Sequence, residues 1–115
     1  MDRRKELKEL YKNLKPDMGI FIVKSNINDK CYIEGTQDLK STINSTKFKL
    51  NLGNHPNKEL QQHWKEYGES SFIIEVLEEL KYDKDESKVD YSEELNILKM
   101  IWDEKLSKNG LKFYK

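Results

Sequence analysis

Met18-Gly19-Ile20-Phe21-Ile22-Val23 is followed by the turn formers Ser25-Asn26-Ile27-Asn28-Asp29 and then by Cys31-Tyr32-Ile33. Ile, Val, Phe and Tyr favour a pleated, half-buried backbone, while Ser, Asn and Asp bend the chain by bonding their own main chain. The stretch predicts two antiparallel strands joined as a hairpin. Phe72, Ile73, Ile74, Val76 and Leu77 make another apolar run. It predicts a third strand over residues 72–77. Because both of its faces are largely apolar, it is expected at the centre of the sheet.

Outward from these strands the hydrophobic period lengthens from two to about 3.6. Leu39, Ile43, Thr46 and Leu50 share one face of a helix over residues 38–52, and Gly53 is placed to end it. A second helix is expected from Pro56, with Asn54 or His55 as its cap, a stripe of Leu60, Trp64 and Tyr67, and a stop at Gly68. Residues 78–90 read as an exposed connection rich in acids and lysines. Asp90 and Glu93 have capping-box spacing. The last helix then carries Tyr91, Leu95, Leu98, Ile101 or Trp102, and Leu106, and stops near Asn109-Gly110, with Phe113 and Tyr114 adding ordered residues after it. Before the hairpin, Leu7, Leu10, Tyr11 and Leu14 recur at helical spacing among Arg3, Arg4, Lys5, Lys8 and Lys12, and Pro16 stops that helix. The expected fold class is α/β (α+β), a small three-stranded antiparallel sheet flanked by helices. An extra N-terminal helix over residues 1–15 precedes a core over 18–106, within one domain over 1–115.

Lys+Arg and Asp+Glu both number 21, so the net charge is +0. No global basic excess points to nucleic acid, and a local patch would have to supply the attraction. Charged residues (37%) outnumber hydrophobic ones (36%), yet the apolar residues are patterned, which argues for a folded chain. Cys31 stands alone, which leaves out an internal disulfide and a cysteine zinc site and suits a reducing cytoplasm. No apolar run approaches a membrane span, and residues 1–15 are too charged for a leader, so no membrane association is expected.

Taken singly, the chemical candidates have plain readings. His55 at a helix start and His63 beside Trp64 are more often a cap or a packed ring than ligands. Tyr32 on a strand is more often half-buried packing than a catalyst. The sequence has no His-x-x-x-His pair, no carboxylate cluster at ligand spacing, no phosphate loop and no serine elbow.

Order and spacing add more. Gly19-Ile20-Phe21 is followed by Lys30-Cys31-Tyr32-Ile33-Glu34-Gly35-Thr36, then Asp38-Leu39-Lys40, Gly53-Asn54-His55-Pro56-Asn57-Lys58, Leu60-Gln61, Trp64, Tyr67-Gly68 and the run over residues 72–78. This series resembles the GIY-YIG nuclease family, in its homing-endonuclease-like branch, over residues 19–78 and more loosely as far as Trp102. The resemblance implies a three-stranded antiparallel sheet flanked by helices and one-metal phosphodiester hydrolysis. In such a site a tyrosine helps activate water, an arginine on the next helix stabilises the phosphate, and a glutamate on a later helix holds the cation. A second tyrosine and a histidine assist. The metal and the arginine answer charge developing on the phosphoryl oxygens.

Most of those positions are substituted here. Phe21 stands at the first tyrosine, Glu34 at the glycine of the second motif, Thr42 at the arginine and Thr46 at a histidine. Aligned through Trp102, Lys99 falls at the metal-binding glutamate, with Glu93 and Glu94 as other equivalents across the acidic connection. Tyr32 and His55 match the pattern. Phenylalanine moves no proton, threonine cannot grip a phosphate bidentately, and lysine repels a divalent cation. Losing one electrostatic stabiliser costs on the order of 10²–10³ in rate. The first functional reading is therefore a catalytically degenerate endonuclease-like domain, a pseudoenzyme without a cofactor. It would bind nucleic acid or regulate, with DNA as partner and Lys40, Lys47, Lys49 and Lys58 as candidate contacts. The second is an active DNA endonuclease with a site rebuilt around Tyr32, Glu34 and His55, which would need Mg²⁺ or Mn²⁺. The third is a protein-interaction module on a nuclease scaffold, with the N-terminal helix as its surface. The sequence leaves the oligomeric state open.

Overall fold

A computed structural model describes residues 15–115. The N-terminal helix expected over residues 1–15 lies almost wholly outside the described residues. In chain order the elements are β1 (Met18–Ser25), β2 (Lys30–Thr36), α1 (Leu39–Leu52), α2 (Lys58–Tyr67), a 3-10 turn (Glu69–Ser71), β3 (Phe72–Leu80), α3 (Ser92–Lys108) and β4 (Lys112–Phe113). The sheet order is β3-β1-β2-β4. β1 runs antiparallel to both β2 and β3, and β4 runs parallel to β2.

The hairpin forms where the sequence places it, but the centre of the sheet does not. β1, not β3, is the inner strand, and β3 lies at an edge. The reason is visible in the side chains. Every residue of β1 except Lys24 is buried, whereas Ile73 and Val76 of β3 remain 45% and 43% exposed. An apolar edge strand and an apolar inner strand read alike in sequence. The sheet also has a fourth strand, because the chain after α3 returns to bond Asp29 and Cys31: the Lys112 N–H donates to the Asp29 carbonyl at 2.7 Å and the Tyr114 N–H to that of Cys31 at 2.9 Å. A two-residue strand leaves no alternation to read.

Alternation along β1 divides the interior. Met18, Ile20 and Ile22 join Cys31 and Ile33 of β2 under Tyr91, Leu95 and Leu106. Phe21 and Val23 face the other way, against Leu39 and Leu50 of α1 and Leu60 and Trp64 of α2. Each fully buried large side chain contributes about 1.5–3 kcal/mol of transfer free energy. Cys31 is buried and free. Burial pushes its thiol up to about 11, so it stays protonated and inert near neutral pH. Gly19 has a steric role. The β1–β3 register slips between Ile20 and Phe21, leaving Leu77 as the extra residue, and a Cβ at Gly19 would sit 2.1 Å from the Glu78 carbonyl oxygen. A glycine lets the two backbones meet at this bulge.

Three local expectations shift. α2 begins at Lys58, capped by Asn57, whose side chain accepts from the Leu60 N–H at 3.0 Å; Asn54 and His55 precede the cap. Asp90 makes no capping box, because its carboxylate accepts from the backbone N–H and hydroxyl of Ser92, and Tyr91 holds the cap position without a side-chain bond. β3 continues through Glu78 and Glu79 to Leu80, so the acidic connection is shorter than expected. Within α3, Trp102 is half-buried and donates to the Glu78 carboxylate, while Ile101 is exposed. Among the described residues, no helix is long and apolar enough to cross a membrane.

Candidate functional site

Tyr32 and Glu34 are two residues apart on β2 and therefore share a face. Their partners across the ladder are Val23 and Phe21, so both project toward the layer holding α1. From α1 come Ser41, Thr42, Ser45, Thr46 and Lys49, and from the α1–α2 loop come His55 and Pro56. Together these residues line a cleft of about 270 Å³. Thr42, Ser45, Thr46 and Lys49 recur at helical spacing beside the buried Leu39 and Leu50, which turns this polar strip toward the cleft.

The loop that delivers His55 is tied down. Gly53 adopts the left-handed conformation at φ 83°, and the Asn54 N–H caps the Lys49 carbonyl at 2.8 Å. The His55 N–H donates to the Gln61 side-chain oxygen at 2.9 Å, and the Gln61 amide donates to the Leu50 carbonyl at 2.9 Å. The Asn57 N–H donates to Nδ1 of His55 at 3.0 Å. That bond places the proton of the neutral imidazole on Nε2. His55 is buried, and burial lowers its pKa, against a weaker upward pull from the Glu34 charge. The ring meets Tyr32 edge-on, with centroids 5.2 Å apart.

Tyr32 donates its hydroxyl to the Glu34 carboxylate. Burial, that hydrogen bond and the adjacent negative charge all push the phenol well above its ordinary range. Tyr32 therefore holds its proton near neutral pH and acts as a donor. The Thr42 hydroxyl lies 2.6 Å from that of Thr36, and the Thr46 hydroxyl donates to the Thr42 carbonyl at 2.8 Å. Both threonines are thus engaged within the fold.

Of the residues expected at the site, Tyr32, Glu34, Thr42, Thr46, His55 and Lys49 converge. Phe21 is fully buried and is not part of the cleft wall. Lys99 is on α3, where it pairs with Asp103 at 3.8 Å. Glu94 pairs with Lys88 at 3.1 Å, and Glu93 is exposed in the first turn of α3. None of these three lines the cleft. Nor do the four lysines form one patch. With 3.6 residues per turn, Lys49 lies roughly 20° around α1 from Thr42, whereas Lys47 and Lys40 lie roughly 140° and 160° away. Lys58 is exposed at the start of α2, apart from the cleft. Ser41, Ser45 and Pro56 were not singled out from sequence. The run of hydroxyls at positions 41, 42, 45 and 46 ahead of Lys49 is the signal that marks them. Among the described residues, no three His, Cys, Asp or Glu side chains are grouped so as to hold a metal ion.

The fold is that of a nuclease-like domain of the GIY-YIG, homing-endonuclease type. The chain is similar in structure to the catalytic domain of the homing endonuclease I-TevI, with a TM-score of 0.65 and 23% identity over 85% of this chain and 98% of that one. It is also similar to a single-site variant of the I-TevI catalytic domain, with a TM-score of 0.52 and 29% identity over 70% of this chain and 84% of that one. No protein-family model matches the sequence, and no curated protein does.

Proposed function

We propose that the chain is a nuclease-fold domain that binds nucleic acid at the Tyr32–His55 cleft and has given up metal-dependent hydrolysis. The observation that carries this reading is the composition of the cleft. Its walls offer hydroxyls from Ser41, Thr42 and Ser45, one ammonium from Lys49 and one imidazole from His55. Such groups suit a phosphate or a sugar. The cleft's carboxylate, Glu34, is already engaged by Tyr32. One carboxylate and one imidazole make a poor ligand set for a hard divalent cation, which takes oxygen ligands at six or so positions. Proton transfer is disfavoured as well, since Tyr32 holds its proton and Phe21 has none to give. The similarity to a homing-endonuclease catalytic domain makes DNA the first nucleic acid to try.

The test is fluorescence anisotropy with labelled oligonucleotides at stepped salt, run beside plasmid nicking in Mg²⁺, Mn²⁺ and chelator. Binding is expected to weaken as salt rises, with a log–log slope of about −0.9 for each duplex phosphate neutralised. Lys49→Glu should weaken it several-fold, and Lys47→Glu, on the far side of α1, should not. No nicking is expected. Equal affinity for Lys49→Glu and the parent would remove the cleft from the reading. Metal-dependent cutting that vanishes in a Tyr32→Phe, Glu34→Gln variant would overturn it.

A further inference from the structure

We propose that Phe48 stacks on an unpaired base, so that the nucleic acid taken by the cleft is single-stranded. This rests on the nucleic-acid reading above and narrows it. Phe48 is 66% exposed, and Leu52, one turn further on, is 59% exposed. Both are on α1, the helix that forms one wall of the cleft. Phe48 lies roughly 20° around the helix from Ser41 and 60° from Ser45, and both serines line the cleft. The ring therefore borders the cleft, next to Lys49.

Magnitudes favour a single strand over a duplex. Proteins that hold duplexes tightly neutralise about 6–10 phosphates, and this cleft offers one lysine with Glu34 beside it. Lys40 and Lys47 point away from it. The affinity must therefore come from a contact that is not ionic. Stacking supplies one, is indifferent to base identity, and requires a base whose face is open. Lys49 next in sequence is placed to take the phosphate of the stacked nucleotide while the hydroxyls of Ser41 and Ser45 meet its sugar. A second copy of the chain is a weaker occupant, because two side chains cover far less than the roughly 1,200 Å² that a stable interface buries.

The experiment compares 12-nucleotide single-stranded RNA, single-stranded DNA and the matching duplex by anisotropy, with the parent chain, Phe48→Ala, Phe48→Trp and Lys49→Glu. Sedimentation of each protein accompanies the titrations. Because Phe48 is largely exposed, neither substitution at it should disturb folding. At least one single strand should bind more tightly than the duplex. Phe48→Ala should lose about tenfold or more of that affinity, and Phe48→Trp should retain it. Single-strand binding that depends on Lys49 and is unchanged in Phe48→Ala would overturn the stacking proposal and leave the broader reading standing. Absence of binding to all three probes would overturn both. A parent dimer that Phe48→Ala dissociates would assign the patch to self-association and also overturn the proposal.

Discussion

Phe21→Tyr adds a single oxygen to a ring with no exposed surface, at the position where the GIY-YIG pattern has a tyrosine. The ring is packed among Leu39, Leu50, Leu60 and Trp64, none of which offers an acceptor. A buried hydroxyl without a partner costs about 1–3 kcal/mol. The added volume also strains a packed interior, so the upper half of that range is the better expectation. For a domain of this size, each kcal/mol lowers Tm by roughly 4 °C, which gives a fall of about 8–12 °C. Thermal melts followed by circular dichroism measure it directly. Urea titrations should show a lower midpoint at an unchanged slope, which assigns the loss to the folded state. An unchanged or higher Tm would refute the reasoning. It would mean that the new hydroxyl reaches an acceptor, with the Glu34 carboxylate directly across the ladder the first to examine, and that the cleft continues down to this position.

Other substitutions test other parts of the fold. Gly19→Ala drives a methyl into the Glu78 carbonyl at 2.1 Å. Since backbone cannot swing aside, a loss of at least about 3 kcal/mol is expected in chemical denaturation. Asn57→Ala removes the α2 cap and the amide that donates to the Tyr114 carbonyl at 3.2 Å; it should cost about 1–2 kcal/mol by the same measurement. His55 gives a pH signature. Burial lowers its pKa in the folded chain below the ordinary 6.5, so the unfolded chain binds more protons below that value. The stability that His55 contributes is complete above about 6.5 and is lost as pH falls through it toward the folded pKa. Urea midpoints at pH 7.5 and 5.5 should therefore decline, and His55→Asn, which keeps an acceptor for the Asn57 N–H, should flatten the decline.

The hairpin, the three described helices and their stops at Gly53, Gly68 and Asn109 were legible because each rests on a local pattern of period, turn former or cap. What was not legible depended on non-local choices. Phe72 to Leu80 reads as an inner strand because its apolar residues occupy both faces, yet the edge it occupies is decided by β1, whose Gly19 admits a neighbour at contact distance. Asn57 outcompeted Asn54 as a cap because Gly53 first had to turn the chain and His55 had to reach the cleft. The site was legible in its strand half, since Tyr32 and Glu34 alternate with the buried Cys31 and Ile33. Its helical half was harder. Lys47 and Lys49 look equivalent along the sequence and differ only after helical rotation is applied, and the exposed ring of Phe48 can be weighed only once its wall of the cleft is known.

α3 carries the chain from one margin of the sheet to the other, and the last few residues then lie alongside β2. This sets a timetable for a chain emerging N-terminus first. The strand bearing Tyr32 and Glu34 is synthesised early, but it acquires its second neighbour only when Lys112 and Phe113 arrive and Tyr114 settles against His63 at 3.0 Å. Until then one margin of β2 presents unpaired amide and carbonyl groups, the condition under which nascent strands find wrong partners. Completion of the cleft's strand and release of the finished chain are thus nearly the same event.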